Sequence, residues 1–215
     1  MIDELPRLIA AAPDKPVRAG AESTRRHSLA LARDPSSWSA GEAADVRHAY
    51  DELAPGWDTE RGAYRPVPVR DALARGGPFP AGLCLDIGGG TGLLTPLLSA
   101  VWPRTVCLDL TLAMLRRAPG PARVQADASR LPFPDGVAAA VVLADAPLFA
   151  EEVARVLAPG GVVLWSNALG TDAPHHVPVA EVLAALGRAA PGKDWRATTA
   201  EAGWGLWAVL RPVPS

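Results

Sequence analysis

The run Leu83-Cys84-Leu85-Asp86-Ile87-Gly88-Gly89-Gly90-Thr91-Gly92 holds the densest chemistry in this 215-residue chain. Its first five residues read as a buried strand, and the glycines after them let the backbone approach a ligand closely. A helix that follows such a loop presents unpaired amide groups and the positive end of its dipole, a cradle for a carboxylate or phosphate. Spacing narrows the choice. A dinucleotide fingerprint requires Gly-x-Gly-x-x-Gly, whereas the residue three beyond Gly90 is Leu93, and no other frame of the loop fits. What stands here is Asp86-x-Gly88-x-Gly90-x-Gly92, with Gly89 inside it. Two more acids close the next strands. Asp109 ends Val106-Cys107-Leu108, 23 residues after Asp86, close to the ~20-residue offset at which an acid meets a ribose diol. Asp127 follows Arg123-Val124-Gln125-Ala126. Taken singly, Asp109 also suits a helix N-cap and Asp127 a surface turn.

Together these residues resemble the first motifs of class I S-adenosylmethionine-dependent methyltransferases, a likeness that covers residues 45–166. Leu131-Pro132-Phe133-Pro134-Asp135 matches the family's segment before the fourth core strand. Glu152 with Arg155-Val156-Leu157-Ala158-Pro159-Gly160-Gly161 matches its helix-to-turn segment entering the fifth. Upstream, Ala49-Tyr50-Asp51-Glu52-Leu53-Ala54-Pro55-Gly56-Trp57-Asp58 is similar to the segment that helps cover the cofactor in the ubiquinone/menaquinone-type members. The resemblance implies S-adenosylmethionine as cofactor. It also implies a binding set of Asp86, Gly88, Gly89, Gly90, Gly92, Asp109, Leu110, Asp127, Ala128 and Tyr50, with Trp57 a further lid candidate. Methyl transfer to an O, N or C atom of a small organic acceptor follows. The alternative is a protein of this fold that binds the cofactor or a partner without transferring methyl. A nicotinamide oxidoreductase ranks behind both because of the loop spacing.

The donor arrives activated, so aligning the acceptor and excluding water carry most of the chemistry, and no obligatory catalytic constellation is expected. A base helps when the acceptor is a hydroxyl or a protonated amine. Candidates are Asp145 after the fourth core strand and the pair His175-His176 after the fifth, histidine titrating near neutrality. A surface or helix-start pair is the plainer account of the two histidines. Asp145-Ala146-Pro147-Leu148-Phe149 is also faintly similar to the Asp/Asn-Pro-Pro-aromatic motif of nucleic-acid aminomethyltransferases, with alanine in place of the first proline. Only 12 residues separate Leu143 from Arg155, shorter than the family's usual stretch, so one wall of the acceptor pocket is either missing or supplied by the N-terminal arm and the loop at 168–177. Trp165, Trp195, Trp204 and Trp207 offer either buried sheet packing or a flat acceptor platform.

From Gly82 onward, strands expected at 83–87, 104–109, 122–126, 137–143 and 160–166 alternate with helices at 92–101, 111–117, 148–157 and 178–188. Such alternation specifies parallel βαβ units. Trp195 to Thr198 and Trp204 to Leu210 lack room for a crossover helix and pair as an antiparallel hairpin. The expected fold is α/β: a Rossmann-like, doubly wound, seven-stranded sheet, mostly parallel, with helices on both faces. Residues 1–45 read as a helical arm and 46–215 as the methyltransferase domain. Ser39-Ala40-Gly41-Glu42 has the spacing of a capping box opening a helix over 40–54, and a second helix runs from Pro66 or Pro68 to Gly76-Gly77.

Composition sets the partner class. With 49% hydrophobic residues the chain can bury a sizeable core, and its net charge of −2 creates no field for nucleic acid or an anionic membrane. A small molecule is the expected partner, and no metal is called for. Cys84 and Cys107 sit in apolar runs as reduced thiols. The acidic start Met1-Ile2-Asp3-Glu4-Leu5 lacks a signal peptide's basic and apolar regions, and Val137 to Ala150 is too short to span a bilayer, so a cytoplasmic location is expected.

Overall fold

A computed structural model describes residues 1–120 and 122–213. The apolar runs become β2 (Leu83–Ile87), β3 (Arg104–Asp109), β4 (Arg123–Gln125), β5 (Ala138–Ala144) and β6 (Leu157–Asn167), followed by the hairpin β7 (Trp195–Ala202) and β8 (Gly205–Pro212). One further strand, β1 (Ile2–Glu4), makes eight rather than seven. Its three residues are all exposed, so no alternation of apolar side chains betrays it. Backbone bonds alone hold it parallel to β7, including Ala197 N to Met1 O at 2.9 Å and Leu5 N to Thr199 O at 2.8 Å.

The sheet runs β1-β7-β8-β6-β5-β2-β3-β4. Every pairing is parallel except those of β8 with β6 and β7. The central strands are covered on both faces, which is why β5, Ala-Ala-Ala-Val-Val-Leu-Ala, is a continuous apolar run rather than an alternating one. On one face Leu85, Val141, Leu143 and Trp165 pack under α1 (Ala21–Arg33), α7 (Ala150–Val156) and α8 (Val179–Ala189). On the other, Cys84, Val142, Leu164 and Trp207 pack under α4 (Pro66–Arg75) and α5 (Thr95–Val101). Trp165 and Trp207 are fully buried in these layers, so they are core and not an acceptor platform. Cys84 and Cys107 are free and buried.

Outside the sheet stand α2 (Ala40–Leu53), α3 (Trp57–Arg61) and α6 (Leu112–Leu115). The capping box forms as its spacing requires. Ser39 Oγ accepts from Glu42 N at 3.2 Å, and Glu42 Oε2 accepts from Ser39 N at 2.8 Å. Residues 5–19 stay irregular, and the helical part of the arm begins only at Ala21. Arg155 accounts for the spacing around Glu152: its guanidinium donates to Glu152, to the carbonyls of Leu131 and Phe133, and to Asp135. That residue therefore clamps the 131–135 loop to α7. Strand order reverses between β3 and β5, on either side of β2. The crevice beyond the carboxyl ends of β2 is where such a sheet binds ligands.

Candidate active site

That crevice holds a cavity of about 620 Å³, whose walls come from the arm, α2, the 57–65 segment, the ends of β2, β3 and β4, and the loops after β5 and β6. A smaller cleft of about 40 Å³ beneath the glycine loop shares Tyr50, Trp57, Arg65, Gly88, Asp109 and Asp145 with it.

The glycine loop leaves β2 through Gly88 (φ 69°) and Gly90 (φ 59°), conformations costly for any side chain. At Gly89 the constraint is space: a Cβ there would lie 2.7 Å from both Asp86 Oδ2 and Cys107 Sγ. Asp86 is 1% exposed, and neither carboxylate oxygen has a hydrogen-bond partner. Burial, and then the neighbouring Asp109, raise its pKa from 3.8 to about 7. Asp109 ends β3 and accepts from Gly90 N at 2.9 Å and Thr111 N at 2.8 Å, fixing the loop against its neighbour. Burial raises its pKa despite those bonds. Gly92 (φ 69°) serves a different purpose from its neighbours: a Cβ there would strike Pro119 Cδ at 2.6 Å and Ala118 Cβ at 2.8 Å, so this glycine permits packing and does not face the cavity.

Leu110, Asp127 and Ala128 line the large cavity. Asp127 has a partner invisible in the sequence. Trp38 Nε1 donates to its two oxygens at 3.1 and 3.0 Å, and Ser129 N donates to Oδ1 at 2.8 Å. The Trp38 ring meets Phe149 edge-on at 5.5 Å, and both line the cavity. The only advance signal for Trp38 is its place immediately before the capping box.

Tyr50, on α2, stands where cleft and cavity meet. Its hydroxyl lies 3.0 Å from His175 Nε2, and His175 Nδ1 lies 2.9 Å from Ser28 Oγ on α1. Burial pushes His175 down to about 4, outweighing the upward pull of Asp145, so the ring is neutral at physiological pH and a weaker base than an ordinary histidine. His176 does not join it. Its Nδ1 bonds Asn167 Oδ1 at 3.0 Å, it is buried, and it does not line the cavity. Asp145 adopts φ 54°, a left-handed conformation uncommon for a residue with a side chain. Its Oδ1 accepts from Ala168 N at 3.1 Å, and its Oδ2 lies 3.5 Å from Arg65. Arg61 and Arg65 stack on Trp57 with their guanidinium carbons 4.5 and 4.7 Å from the ring centroid. Trp57 and Arg61 are four residues apart on one helix, a spacing that could have exposed the stack in advance. Thr91 donates to Asp58 at 2.5 Å, tying the same segment to the glycine loop.

The donor set fits an S-adenosyl ligand. Asp86 is a buried carboxyl group without a hydrogen-bond partner on the small cleft, Gly88 and Gly90 line that cleft beside it, and Asp109 and Asp127 line the large cavity. Among the described residues no cluster of three or more His, Cys, Asp or Glu is arranged to hold a metal.

The sheet order and this crevice define the Rossmann-like α/β fold of class I methyltransferases. A family model described as a methyltransferase domain matches residues 85–165, the stretch from β2 to β6. Demethylmenaquinone methyltransferase of Mycolicibacterium gilvum (strain PYR-GCK) is 37% identical over 94 residues, 38% of this chain and 40% of the relative. The chain therefore spans about two fifths of the length of the curated relative that it matches. Among solved structures, the DhpI–SAH complex superposes with a TM-score of 0.64 at 24% identity, covering 83% of this chain and all of that one. A SAM-dependent methyltransferase from Aquifex aeolicus gives 0.58 at 18% identity, covering 76% and 98%. These two likenesses establish the fold.

Proposed function

We propose that this chain is an S-adenosylmethionine-dependent methyltransferase acting on a small organic acceptor. The observation that carries the proposal is the unpartnered, buried Asp86 carboxylate under a glycine loop at the sheet's reversal point, with Asp109 and Asp127 following in order along one wall. The family model over residues 85–165 supports it.

In this reading Asp86 and the backbone of Gly88 to Gly90 hold the cofactor's amino-acid end. Arg65, which lines the cleft beside them, takes its carboxylate. Asp109 holds the ribose hydroxyls, and Leu110, Asp127 and Ala128 hold the adenine, with Trp38 fixing the Asp127 carboxylate. The bound cofactor supplies a methyl group already activated on a sulfonium. Tyr50, oriented by neutral His175, sets the acceptor's angle of approach where cleft and cavity meet. Residues 1–45 act as an arm over the domain formed by 46–215, and α1 and α2 supply the acceptor wall that the short β5–α7 connection lacks. The net charge of −2 favours a small acceptor over nucleic acid or an anionic membrane, and two free buried thiols agree with the reducing cytoplasm. No described helix is long and apolar enough to cross a membrane.

Calorimetry with S-adenosylmethionine and its demethylated product tests the binding half of this proposal. Incubation of labelled cofactor with metabolite pools tests transfer. A folded sample that binds neither compound refutes the proposal, and binding without any labelled product leaves a cofactor-binding protein in its place.

A further inference from the structure

The arm side of the large cavity carries more positive charge than its own carboxylates neutralise. Arg18, Arg61 and Arg65 all line it. Arg65 is matched by Asp145 at 3.5 Å. The Arg61 side chain is only 13% exposed, yet its carboxylate partner is the adjacent Glu60, itself 56% exposed and so screened by water. Arg18 donates to Tyr64 Oη at 2.6 Å and to the Glu60 carbonyl at 3.2 Å, both neutral groups, and no carboxylate among the described residues lies within ion-pair distance of it. The acid on the same wall, Asp45, is exposed and sits on α2. Arg18 is half-buried at the cavity wall with only neutral partners, so its charge is free to meet an anion, and a guanidinium's planar fork matches an oxyanion. Around these arginines the wall is apolar, with Leu31, Val46, Leu53 and Leu169 facing the space.

We infer that the methyl acceptor is an organic anion: its carboxylate or phosphate-type group is held by Arg18 and Arg61, and its apolar body lies along α1 and α2. The inference rests on the cofactor reading, which assigns Arg65 and the glycine loop to S-adenosylmethionine and leaves these two arginines for the acceptor. A bound sulfonium adds a further positive charge nearby, which disfavours a cationic acceptor.

The test titrates inorganic phosphate, and separately acetate, into protein saturated with S-adenosylhomocysteine, with binding followed by calorimetry. Saturable one-to-one binding of at least one anion is expected. It should weaken by about tenfold or more in Arg18→Met, the scale of losing a charge-assisted contact, while affinity for S-adenosylhomocysteine stays within about twofold. The tighter of the two anions identifies the oxyanion class. Absence of saturable anion binding by the loaded wild-type protein overturns the inference, as does anion binding undiminished in Arg18→Met. Wild-type protein that fails to bind S-adenosylhomocysteine refutes the cofactor reading itself, so the two failures are told apart within one experiment.

Discussion

Replacing Trp38 by phenylalanine isolates one hydrogen bond with consequences at the far end of the cofactor. The substitution keeps a ring to pack edge-on against Phe149 and removes the Nε1–H that donates to both oxygens of Asp127. A hydrogen bond to a charged acceptor is worth about 1.5–3 kcal/mol. Asp127 keeps its bond from Ser129 N and sits at a partly open wall, so a loss near 1 kcal/mol is expected, roughly fivefold in Kd. The loss should depend on the ligand. S-adenosylhomocysteine presents an amino group that the aligned carboxylate accepts. S-inosylhomocysteine carries a carbonyl at that position and gains nothing from the alignment. Calorimetry of both ligands on wild type and Trp38→Phe should therefore show weaker binding of the adenosyl compound, unchanged binding of the inosyl compound, and a smaller ratio between them. Equal weakening of both ligands would mean that Trp38 merely supports the fold of the arm, and the reasoning would then be refuted.

Further outcomes follow from other residues. Asp109→Ala should weaken S-adenosylhomocysteine binding by about 1–3 kcal/mol, because ribose contacts and the anchor on Gly90 N are lost together; unchanged affinity in calorimetry removes Asp109 from the site. Asp86 binds a proton in the folded state up to about pH 7 but releases it near 4 when unfolded. The folded chain then holds the extra proton, so cofactor-free stability should fall as pH rises from 4 to 7 and level off above that. Thermal melts of Asp86→Asn should show a shallower decline, what remains coming from Asp109, whose pKa burial also raises; a decline as steep as the wild type's contradicts the assignment. On the opposite face, Asp71 accepts from Trp207 Nε1 at 2.7 Å and Arg75 Nε at 2.9 Å, pinning α4 to β8. Asp71→Ala strands a fully buried indole N–H and should cost about 2–3 kcal/mol in urea melts, with S-adenosylhomocysteine affinity of the folded fraction unaltered.

Much of this architecture is legible in the chain because its signals are local. The glycine loop, the acid at 109 and the capping box at Ser39 each act within a few residues of themselves, and the structure places each where its spacing implies, whereas Asp127 lies two residues beyond β4, which ends at Gln125. What escaped depends on contacts distant in sequence. Trp38 meets Asp127 across 89 residues, and Ser28 meets His175 across 147. His175 and His176 are adjacent and chemically identical, so only the path of the loop decides which one reaches the cavity. Burial also overturned the simplest expectation for His175, lowering its basicity instead of leaving it near neutrality. Strand β1 was missed because it is held by backbone bonds at a sheet edge, where side-chain pattern carries no information. Gly92 shares the rhythm of its neighbours, but the rhythm does not distinguish contact with a ligand from contact with Ala118 and Pro119.

A crystal structure of the chain with S-adenosylhomocysteine tests the central claim most directly. Ligand density is expected in the β2 crevice, with ribose hydroxyls on Asp109, the adenine amino group on Asp127, the carboxylate at Arg65 and the sulfur toward Tyr50. Density at any other place in a crystal grown at saturating ligand, or the ligand reversed so that its adenine lies against Asp86, would contradict it.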